Sequence, residues 1–462
     1  MKPQARGKSA SGREALAKRY ALLFGAFLGL TLLKFTNVAI FERLDEWPTN
    51  GWQWAINIWP LSLGYGLLAG LVALGVVVAR WEGGIRHTLQ SVPKGPELRA
   101  PRWLLALPAA WLVWQIAAGT QSESQALSYA TLKHFAGCVA CFYVGHFALG
   151  RFGNPAVFLS GLIVALGLVI AVGFEQHFGG LKASQEYFFT YIYPTMPAVP
   201  PEYLKKMSSE RIFSTLFYPN SLAGALLLLL PVAVTVILND VTQLTVAARR
   251  FVAGVVGVGG LACLFWSGSK GGWLLMLLLG LVTLLRLPFA RRWKLLLVGL
   301  VLAVGLAGFG VKYAAFFRKG ATSVGARFDY WQAAARTAVA HPVLGTGPGT
   351  FAIPYAKVKR PESEMARLVH NDYLQQASDS GFVGLATFGA FVVGVLVRTK
   401  PRPGEGWGSV RFAVWLGLLG FWLQGLLEFG LYIPALAWCS FALMGWLLAM
   451  TGKPFDKPAS AV

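Results

Sequence analysis

The chain has 462 residues, of which 55% are hydrophobic and only 13% are charged, and its formal net charge is +21. An ordinary soluble domain has roughly 25% charged residues, and a single domain of that kind could not cover this much apolar surface. A disordered chain, in turn, has far lower hydrophobicity. The composition therefore excludes both classes and predicts a polytopic membrane protein.

Twelve apolar segments follow one another along the chain, each near the roughly 20 residues that a membrane-crossing helix needs. Because a spanning backbone must satisfy its own hydrogen bonds, and the alternation of barrel strands is absent, we predict helices. The expected fold class is an all-α polytopic membrane protein with about 12 transmembrane helices and two long periplasmic loops, the second partly helical. The predicted spans are 20–41, 58–79, 102–118, 128–149, 155–177, 219–238, 251–266, 272–287, 295–314, 373–397, 411–428 and 431–450.

These spans divide the chain into five parts. The first span is longer than the apolar core of a signal peptide and is followed by no clear cleavage site, so we expect it to remain in the protein. The parts are a cytoplasmic basic tail (1–19), nine spans with one long loop at 178–218 (20–314), a large periplasmic loop (315–372), three further spans (373–450) and a cytoplasmic tail (451–462).

The basic residues predict the orientation of the chain in the membrane. With the N-terminus in the cytoplasm, every cytoplasmic connection holds at least one Lys or Arg, whereas most outer hairpins are short and poor in both. This distribution follows the positive-inside rule and predicts that both termini are cytoplasmic. Because the charges are distributed among many short loops, we do not expect a nucleic-acid partner.

Two long outer loops, 178–218 and 315–372, depart from this pattern because they are rich in Lys and Arg. Loops of this length are usually functional, and such basic residues indicate an anionic ligand such as a phosphate or diphosphate. The alternative is a solvated loop attracted to anionic lipid headgroups. The basic residues are Lys182, Lys205, Lys206 and Arg211 in the first loop, and Arg318, Lys319, Arg327, Arg336, Lys357, Lys359, Arg360 and Arg367 in the second.

The second loop has internal structure. Residues 324–336 have helical propensity and an aromatic face, and the glycines and prolines of 341–351 end that helix and open a tight turn. A glycine-rich turn can present backbone N–H groups to an anion. The spacing is not that of a P-loop, so nucleotide binding has little support.

A few polar residues map to the outer face of the membrane. His370 lies where the second loop re-enters the membrane and is a candidate general base, because histidine titrates near neutral pH; the alternative is a structural histidine. Arg211 precedes the sixth span, and Lys270 is the only charge in the hairpin between spans seven and eight. Each of these two could instead pair with lipid phosphate. Together with Arg327, they share one side of the membrane.

Other polar residues give weaker signals. Lys34, inside the first span, is a candidate for ion or substrate transport, or it snorkels to the interface. Cys138 and Cys141 have the spacing of a redox motif, but they lie in an apolar stretch, where two small residues one turn apart are the simpler interpretation. No pair has the spacing of a helical metal site, so we predict no metal ligand and no cofactor.

The run from Arg211 to Gly384 resembles the O-antigen ligase and polymerase superfamily of bacterial envelope glycosyltransferases. The resemblance is carried by three pieces: Arg211 with Pro219-Asn220; Ser269-Lys270-Gly271; and the block Arg327, Trp331, His341-Pro342, Gly345-Thr346-Gly347-Pro348-Gly349, His370-Asn371-Asp372-Tyr373-Leu374, Gly381 and Gly384. The last block is the most specific piece.

This resemblance implies a multi-pass enzyme of the bacterial inner membrane. Such enzymes transfer a glycan from undecaprenyl diphosphate to an acceptor hydroxyl at the periplasmic face, without a metal or a nucleotide. The acceptor is lipid A core or a growing polysaccharide, and the partners include membrane lipids. Direct displacement would invert the anomeric centre.

The resemblance also implies roles for individual residues. Arg211 and Arg327 match arginines that hold the diphosphate, and His370 matches the essential histidine. Lys270 stands where many members have Arg; it keeps the charge and loses the bidentate fork. The remaining predicted substrate-binding residues are Asn371, Asp372, Tyr373 and Arg336, with Asp372 expected to orient the imidazole.

Four functions remain open. A ligase moves O-antigen to lipid A core, a polymerase joins repeat units, and a protein O-glycosylase modifies Ser or Thr. The histidine block favours the ligase, and the short C-terminal tail disfavours the protein glycosylase. A transporter with 12 spans is the alternative from another class, and it would be favoured if Lys34, and not His370, were essential.

Overall fold

The computed structural model describes residues 4–81, 101–151, 155–196, 199, 204, 207–318, 322–361, 363–401 and 408–451, and this part of the chain is helical without strands. Its α-helices are numbered in chain order. They are α1 Gln4–Lys34, α2 Gly51–Ile56, α3 Leu61–Trp81, α4 Arg102–Gly119, α5 Gln125–Phe147, α6 Ala156–Glu175, α7 Leu181–Tyr187, α8 Pro219–Asn239, α9 Val246–Trp266, α10 Lys270–Arg286, α11 Arg291–Arg318, α12 Thr322–Ala340, α13 Ala352–Val358, α14 Asp372–Arg398, α15 Val410–Gln424 and α16 Pro434–Ala449.

A long helix lies on each of the twelve predicted apolar segments, so the prediction of an all-helical protein is confirmed. By length and composition, seven helical runs of the described part can cross a bilayer, and α15 and α16 are shorter apolar helices. The seven runs are Ala15–Lys34, Leu61–Val78, Ala156–Thr195, Pro219–Asn239, Val246–Trp266, Arg291–Arg318 and Asp372–Arg398. The remaining three, α4, α5 and α10, are shorter or more polar, and the number of spans stays a prediction.

Two of these more polar helices, α4 and α5, contain polar side chains that are buried inside the bundle. Gln115 of α4 donates to Gln376 of α14 at 2.9 Å. His134 of α5 lies 2.7 Å from the carbonyl oxygen of Leu431 through its Nε2 atom. Polar groups at this depth persist because they find partners on neighbouring helices. Part of the low hydropathy of α4 and α5 therefore comes from residues with internal contacts.

Helix α16 forms the centre of the bundle. Its sequence is apolar on all sides, as expected of a helix that other helices surround, and every residue from Pro434 to Leu448 is buried. It packs against α5 at backbone contact distance. A Cβ atom on Gly145 would lie 2.1 Å from the carbonyl oxygen of Ala442, and one on Gly445 would lie 2.0 Å from that of Phe142. Small residues at this crossing let the two helices approach closely.

The boundaries of two predicted segments differ from the structure. Helix α1 begins at Gln4, inside the predicted basic tail, and it ends at Lys34, seven residues before the predicted limit. The predicted loop 178–218 continues as helical turns as far as Thr195, after a kink at Phe178 and Gly179. Its exposed aromatic side chains suit the membrane interface, where Tyr and Trp are enriched.

Some sequence predictions lie outside the described residues. These are Lys205, Lys206 and Lys319 of the two long loops and all of the C-terminal tail after Thr451.

The segment between α11 and α14 packs against a break in α14 at Ser380 and Gly381. The predicted helix 324–336 is confirmed by α12, which extends it to residues 322–340. The glycine-rich turn that follows packs against α14, where Gly381 has a positive φ of 70°. The N–H group of Phe382 donates to the carbonyl oxygen of Pro342 at 2.8 Å. This docking fixes α12 and α13 above the ends of the long helices.

Candidate active site

The carboxylate of Glu428, whose side chain is only 13% exposed, lies in the hairpin between α15 and α16. Its Oε1 atom accepts a hydrogen bond from Asn220 Nδ2 at 2.6 Å and a second from Nη2 of Arg327. Its Oε2 atom lies 3.2 Å from Nδ1 of His370. One carboxylate therefore joins residues from α8, α12 and the start of α14.

The backbone of His370 has a conformation that residues other than glycine rarely adopt. Its φ is +54°, in the left-handed region, and the next residue, Asn371, caps α14 by accepting from the N–H groups of Tyr373 and Leu374 at 3.0 Å each. The imidazole stacks on Tyr330, with centroids 5.9 Å apart. Strained backbone of this kind is concentrated at functional sites, and here it directs the imidazole toward Glu428.

Arg211 approaches the same site from the segment before α8. Its Nε atom donates to the carbonyl oxygen of Ser267 at 2.7 Å, and its Nη2 atom donates to Asn220 Oδ1 at 2.9 Å. Gln176 holds this segment by accepting from the N–H groups of Phe213 and Ser214 at 3.0 and 2.7 Å. Arg211 is thus fixed to the hairpin before α10 and, through Asn220, to Glu428.

The charges of the site favour an ionised Glu428. Burial alone would raise its pKa, but the hydrogen bond from His370 and the charges of Arg327 and Arg211 outweigh burial, so the pKa lies below its ordinary value. For Arg211, burial lowers the pKa and Glu428 opposes that change. Arginine stays protonated in proteins even so. The site therefore contains one carboxylate and at least two permanent cations.

Two lysines add to the positive charge at this face. The ammonium of Lys270 lies 3.8 Å from the ring centre of Phe316 and 4.9 Å from that of Tyr313, close enough for the charges of Arg211 and Arg327 to act on it. Lys312 of α11 lies beside the same tyrosine and donates to the carbonyl oxygen of Phe265. The hydroxyl of Tyr313 is buried and has no hydrogen-bond partner in the part of the chain that the structure describes. Among the described residues, neither lysine forms an ion pair with a carboxylate.

Asn371, Asp372 and Tyr373 have structural contacts at the start of α14. Asn371 is the helix cap, and the hydroxyl of Tyr373 donates to the carbonyl oxygen of Trp422 at 3.0 Å. The buried carboxylate of Asp372 accepts from the N–H group of Leu431 at 3.1 Å through Oδ2. The carboxylate that contacts the imidazole of His370 is that of Glu428, whereas Asp372 contacts the backbone.

Arg336 lies apart from the cluster around Glu428. It is nine residues after Arg327 on α12, which on an ideal helix is about half a turn around the axis and roughly 13 Å along it. Its side chain is exposed and borders a separate cavity together with Gln332 and Tyr355.

The glycine-rich turn uses its N–H groups inside the protein. The N–H group of Gly349 donates to the carboxylate of Asp379 at 2.7 Å, and the N–H group of Gly347 donates to the carbonyl oxygen of the same residue at 2.9 Å. The expected presentation of these N–H groups to a bound anion is therefore wrong for these two residues, because an internal carboxylate and a carbonyl already occupy them.

The two remaining predictions concern Lys34 and the cysteines. The ammonium of Lys34, the last residue of α1, donates to the carbonyl oxygens of Ala55 and Asn57. It therefore reaches away from the middle of the bundle, as a snorkelling lysine does. Cys138 and Cys141 are buried and not joined in a disulfide.

Three residues of this site carry little weight in the sequence. Glu428 lies 58 residues after His370, and nothing in the spacing joins them; its only signal is its position in an outer hairpin. Asn220 follows a proline at the start of a span, and Lys312 follows a long apolar run, where a lysine is typical of an interface anchor. Glu428 and Lys312 become notable only because the fold brings them close to the other site residues, whereas Asn220 already belongs to the motif that carries the family resemblance.

Residues 254–389, less than a third of the chain, match the O-antigen ligase family model (Wzy_C). The match confirms the resemblance that the motifs indicate, and it points to membrane enzymes of the O-antigen ligase and polymerase type. It includes Lys270, Arg327 and His370, whereas Arg211 and Glu428 lie outside it. No curated protein matches the chain.

Proposed function

We propose that this protein transfers a glycan from undecaprenyl diphosphate to the hydroxyl of an acceptor, with lipid A core as the acceptor. The observation that carries the proposal is the cluster of Arg211, Arg327 and His370 on the single carboxylate Glu428. The family match over residues 254–389 supports the class of donor.

The excess of positive charge supports a diphosphate donor. Four cations (Arg211, Arg327, Lys270 and Lys312) surround this face, and Glu428 is the one carboxylate that binds any of them among the described residues. A diphosphate would balance these charges, and arginines hold its oxygens in bidentate pairs. The unpartnered hydroxyl of Tyr313 is a further donor for a phosphate oxygen. As the bond to the sugar breaks, the growing negative charge on the diphosphate is stabilised by this field.

The contact between His370 and Glu428 supports a proton-transfer role for the imidazole. Because Nδ1 faces the carboxylate, Nε2 is the nitrogen that accepts the proton of the acceptor hydroxyl. The hydroxyl oxygen then forms a bond to the anomeric carbon while the bond from that carbon to the diphosphate oxygen breaks. The bonding electrons leave with the diphosphate, and the configuration of the sugar inverts. Glu428 stabilises the imidazolium that forms, and no metal or cofactor is required for this step.

For the topology, we propose twelve transmembrane helices with both termini in the cytoplasm and the active site on the periplasmic face of a bacterial inner membrane. The site residues support this arrangement because they lie where α9, α11 and α15 end and where α8, α10 and α14 begin. Helices that alternate in direction bring those six ends to one side of the membrane.

The test is the kinetic effect of two substitutions of Arg327 in purified, reconstituted protein. Arg327→Ala should lower kcat/KM for the lipid-linked donor at least 100-fold, and Arg327→Lys should recover only part of it, because lysine lacks the bidentate fork. Turnover of the Arg327→Ala protein at the wild-type rate would overturn the proposal. Product mass distinguishes the acceptor: glycan on lipid A core supports a ligase, whereas longer lipid-linked chains without added acceptor indicate a polymerase.

A further inference from the structure

A polar cavity lies on the side of α12 that faces away from the cluster around Glu428. Its volume is about 170 Å³, and it lies between α12 and the segment that contains α13. Drug-sized ligands occupy pockets of about 300–1,000 Å³, so a cavity of this size suits a single sugar residue. It is lined by Asp329, Gln332, Ala333, Arg336, Tyr355, Val358, Lys359 and Arg360.

The sequence of α12 explains why these groups lie together. Asp329, Gln332, Ala333 and Arg336 have the spacing i, i+3, i+4 and i+7, which is one face of a helix. Tyr330, one position on from Asp329, points instead to the core that joins α12 to α13. One helix thus serves the catalytic cluster with one face and this cavity with another.

The charges of the cavity are positive on balance, with three cations and one carboxylate. Asp329 pairs with Arg360 at 2.9 Å and also accepts from Ser363 Oγ at 2.9 Å. Lys359 is fixed by the carbonyl oxygens of Arg360 and Ser363, at 3.2 and 3.0 Å. Arg336 pairs with no carboxylate among the described residues, so its guanidinium is available for an anionic group.

The cavity is connected to the imidazole through the rings of two tyrosines, one in edge-to-face contact and one stacked. Tyr355 lines the cavity and contacts the ring of Tyr330, with centroids 5.4 Å apart, and Tyr330 stacks on His370 at 5.9 Å. As seen from the imidazole, a sugar in the cavity would therefore lie beyond Tyr330 and Tyr355, apart from the arginines that contact Glu428 and Asn220. Because the diphosphate of the donor is expected at those arginines, this separate position suits a sugar of the acceptor.

We propose that this cavity binds a sugar residue of the acceptor that bears one phosphate or carboxylate group, with Arg336 as the principal contact to that group and Gln332 and Asp329 as hydrogen-bond partners of its hydroxyls. The proposal deepens the function proposed above and rests on it for the identity of the acceptor. It makes Arg336 a residue that recognises the acceptor, at a distance from the diphosphate.

The direct test is equilibrium binding of small sugars to the purified full-length protein, without any transfer reaction. The probes are glucose 6-phosphate, glucuronate, glucose and glycerol 3-phosphate, and the binding of each is measured by saturation-transfer NMR. We expect the two charged sugars to bind and glucose to bind at least tenfold more weakly. Equal binding of glycerol 3-phosphate and glucose 6-phosphate would mean that the cavity recognises phosphate alone and would overturn the proposal.

Substitutions show whether each side chain strengthens or weakens the binding of the charged sugars. Arg336→Ala should weaken binding of the charged sugars on the order of tenfold, because a charge-assisted hydrogen bond is lost, and Asp329→Asn should strengthen it, because a like charge is removed. The matched control is Lys357→Ala, a neighbouring cation on α13 that pairs with Glu123 outside the cavity. Unchanged binding in Arg336→Ala, or an equal loss in Lys357→Ala, would overturn the proposal. Because Arg336 is exposed, its substitution should leave the fold intact, and thermal melting checks this.

Transfer kinetics separate this inference from the proposed function. In the Arg336→Ala protein, the KM for an acceptor with anionic sugars should rise about tenfold, while kcat and the KM for the donor stay at wild-type values. A rise in the KM for the donor instead would assign the cavity to the wrong substrate. If the wild-type protein shows no transfer at all but still binds charged sugars through Arg336, the proposed function fails and the binding site stands.

Discussion

Replacing Glu428 by Gln tests the arrangement of the candidate active site more sharply than any other single change. The substitution keeps the shape of the side chain and removes its charge. Glu428 accepts hydrogen bonds from Asn220 and Arg327 and contacts Nδ1 of His370 at 3.2 Å. An amide presents one oxygen and one NH₂ group, so it cannot accept from Arg327 and His370 on both of its ends.

The expected loss follows from the energy of one hydrogen bond to a charged partner. Such a bond contributes about 1.5–3 kcal/mol, and each 1.36 kcal/mol corresponds to a tenfold change in rate. If the bond to the imidazole acts mainly in the transition state, kcat should fall between about 10- and 150-fold. The KM for the donor should change less, because Arg211 and the two lysines of the site remain.

The assay is steady-state transfer from a lipid-linked glycan by purified protein in nanodiscs, with the product separated by mass. The matched control is Glu123→Gln, which removes another outer-face glutamate whose partner, Lys357, is largely exposed. That variant should keep the wild-type kcat, since exposed pairs contribute little. A wild-type kcat in Glu428→Gln would refute the role assigned to the carboxylate.

The same carboxylate links stability to pH. The pKa of Glu428 is lower in the folded protein than its ordinary value, so its contribution to stability is present above the unfolded value and is lost as the pH falls through the folded one. The difference in Tm between wild-type and Glu428→Gln protein should therefore be largest near about pH 7 and should shrink below about pH 4. A difference that does not change with pH would contradict this origin.

Three further substitutions test separate parts of the account. Lys312→Ala should raise the KM for the lipid-linked donor about tenfold, and Lys312→Arg should bring the KM most of the way back to the wild-type value. The control is Arg318→Ala, which removes an exposed cation at the end of the same helix and should not change the KM. Equal KM values for Lys312→Ala and wild type would exclude Lys312 from the donor site. Gly381→Ala should lower Tm by several degrees, because φ is +70° and the new Cβ atom would lie 2.2 Å from a carbonyl oxygen. The control is Gly389→Ala on the same helix, which should leave Tm unchanged or raise it, because no atom lies within 4 Å of the new Cβ atom. Similar Tm values for the two variants would contradict the docking of the glycine-rich turn. Asp372→Asn should lower Tm and leave kcat within about threefold of wild type, because its carboxylate contacts a backbone N–H group and not the imidazole; a loss of kcat comparable to that of Glu428→Gln would return the orienting role to Asp372.

The sequence predicts the long helices well because hydrophobic length is a local property. It is less accurate where an apolar segment bends or ends. The first span ends at Lys34, before its predicted limit, and the chain after Glu175 stays helical to Thr195. The second difference arises because the hydropathy of an interfacial helix rich in aromatic residues resembles that of a loop. Neither boundary has a strong local signal.

The candidate site is predicted only in part, for a physical reason. His370, Arg327 and Arg211 are visible in the sequence because charged residues beside apolar spans are rare and because they fit a known motif pattern. Glu428 and Lys312 are visible only in the fold, since their contacts join α11 and the last hairpin to segments far away in the chain. Spacing along one segment cannot reveal such contacts.

The proposal that His370 is the base of a glycan transfer is tested most directly by one reaction. Wild-type and His370→Ala proteins, each reconstituted in nanodiscs, are given undecaprenyl-diphosphate-linked glycan and lipid A core in the presence of a chelator. We predict glycosylated lipid A core with the wild-type protein and none with the variant, although both bind the donor equally well. Transfer by the His370→Ala protein at the wild-type rate would contradict the account.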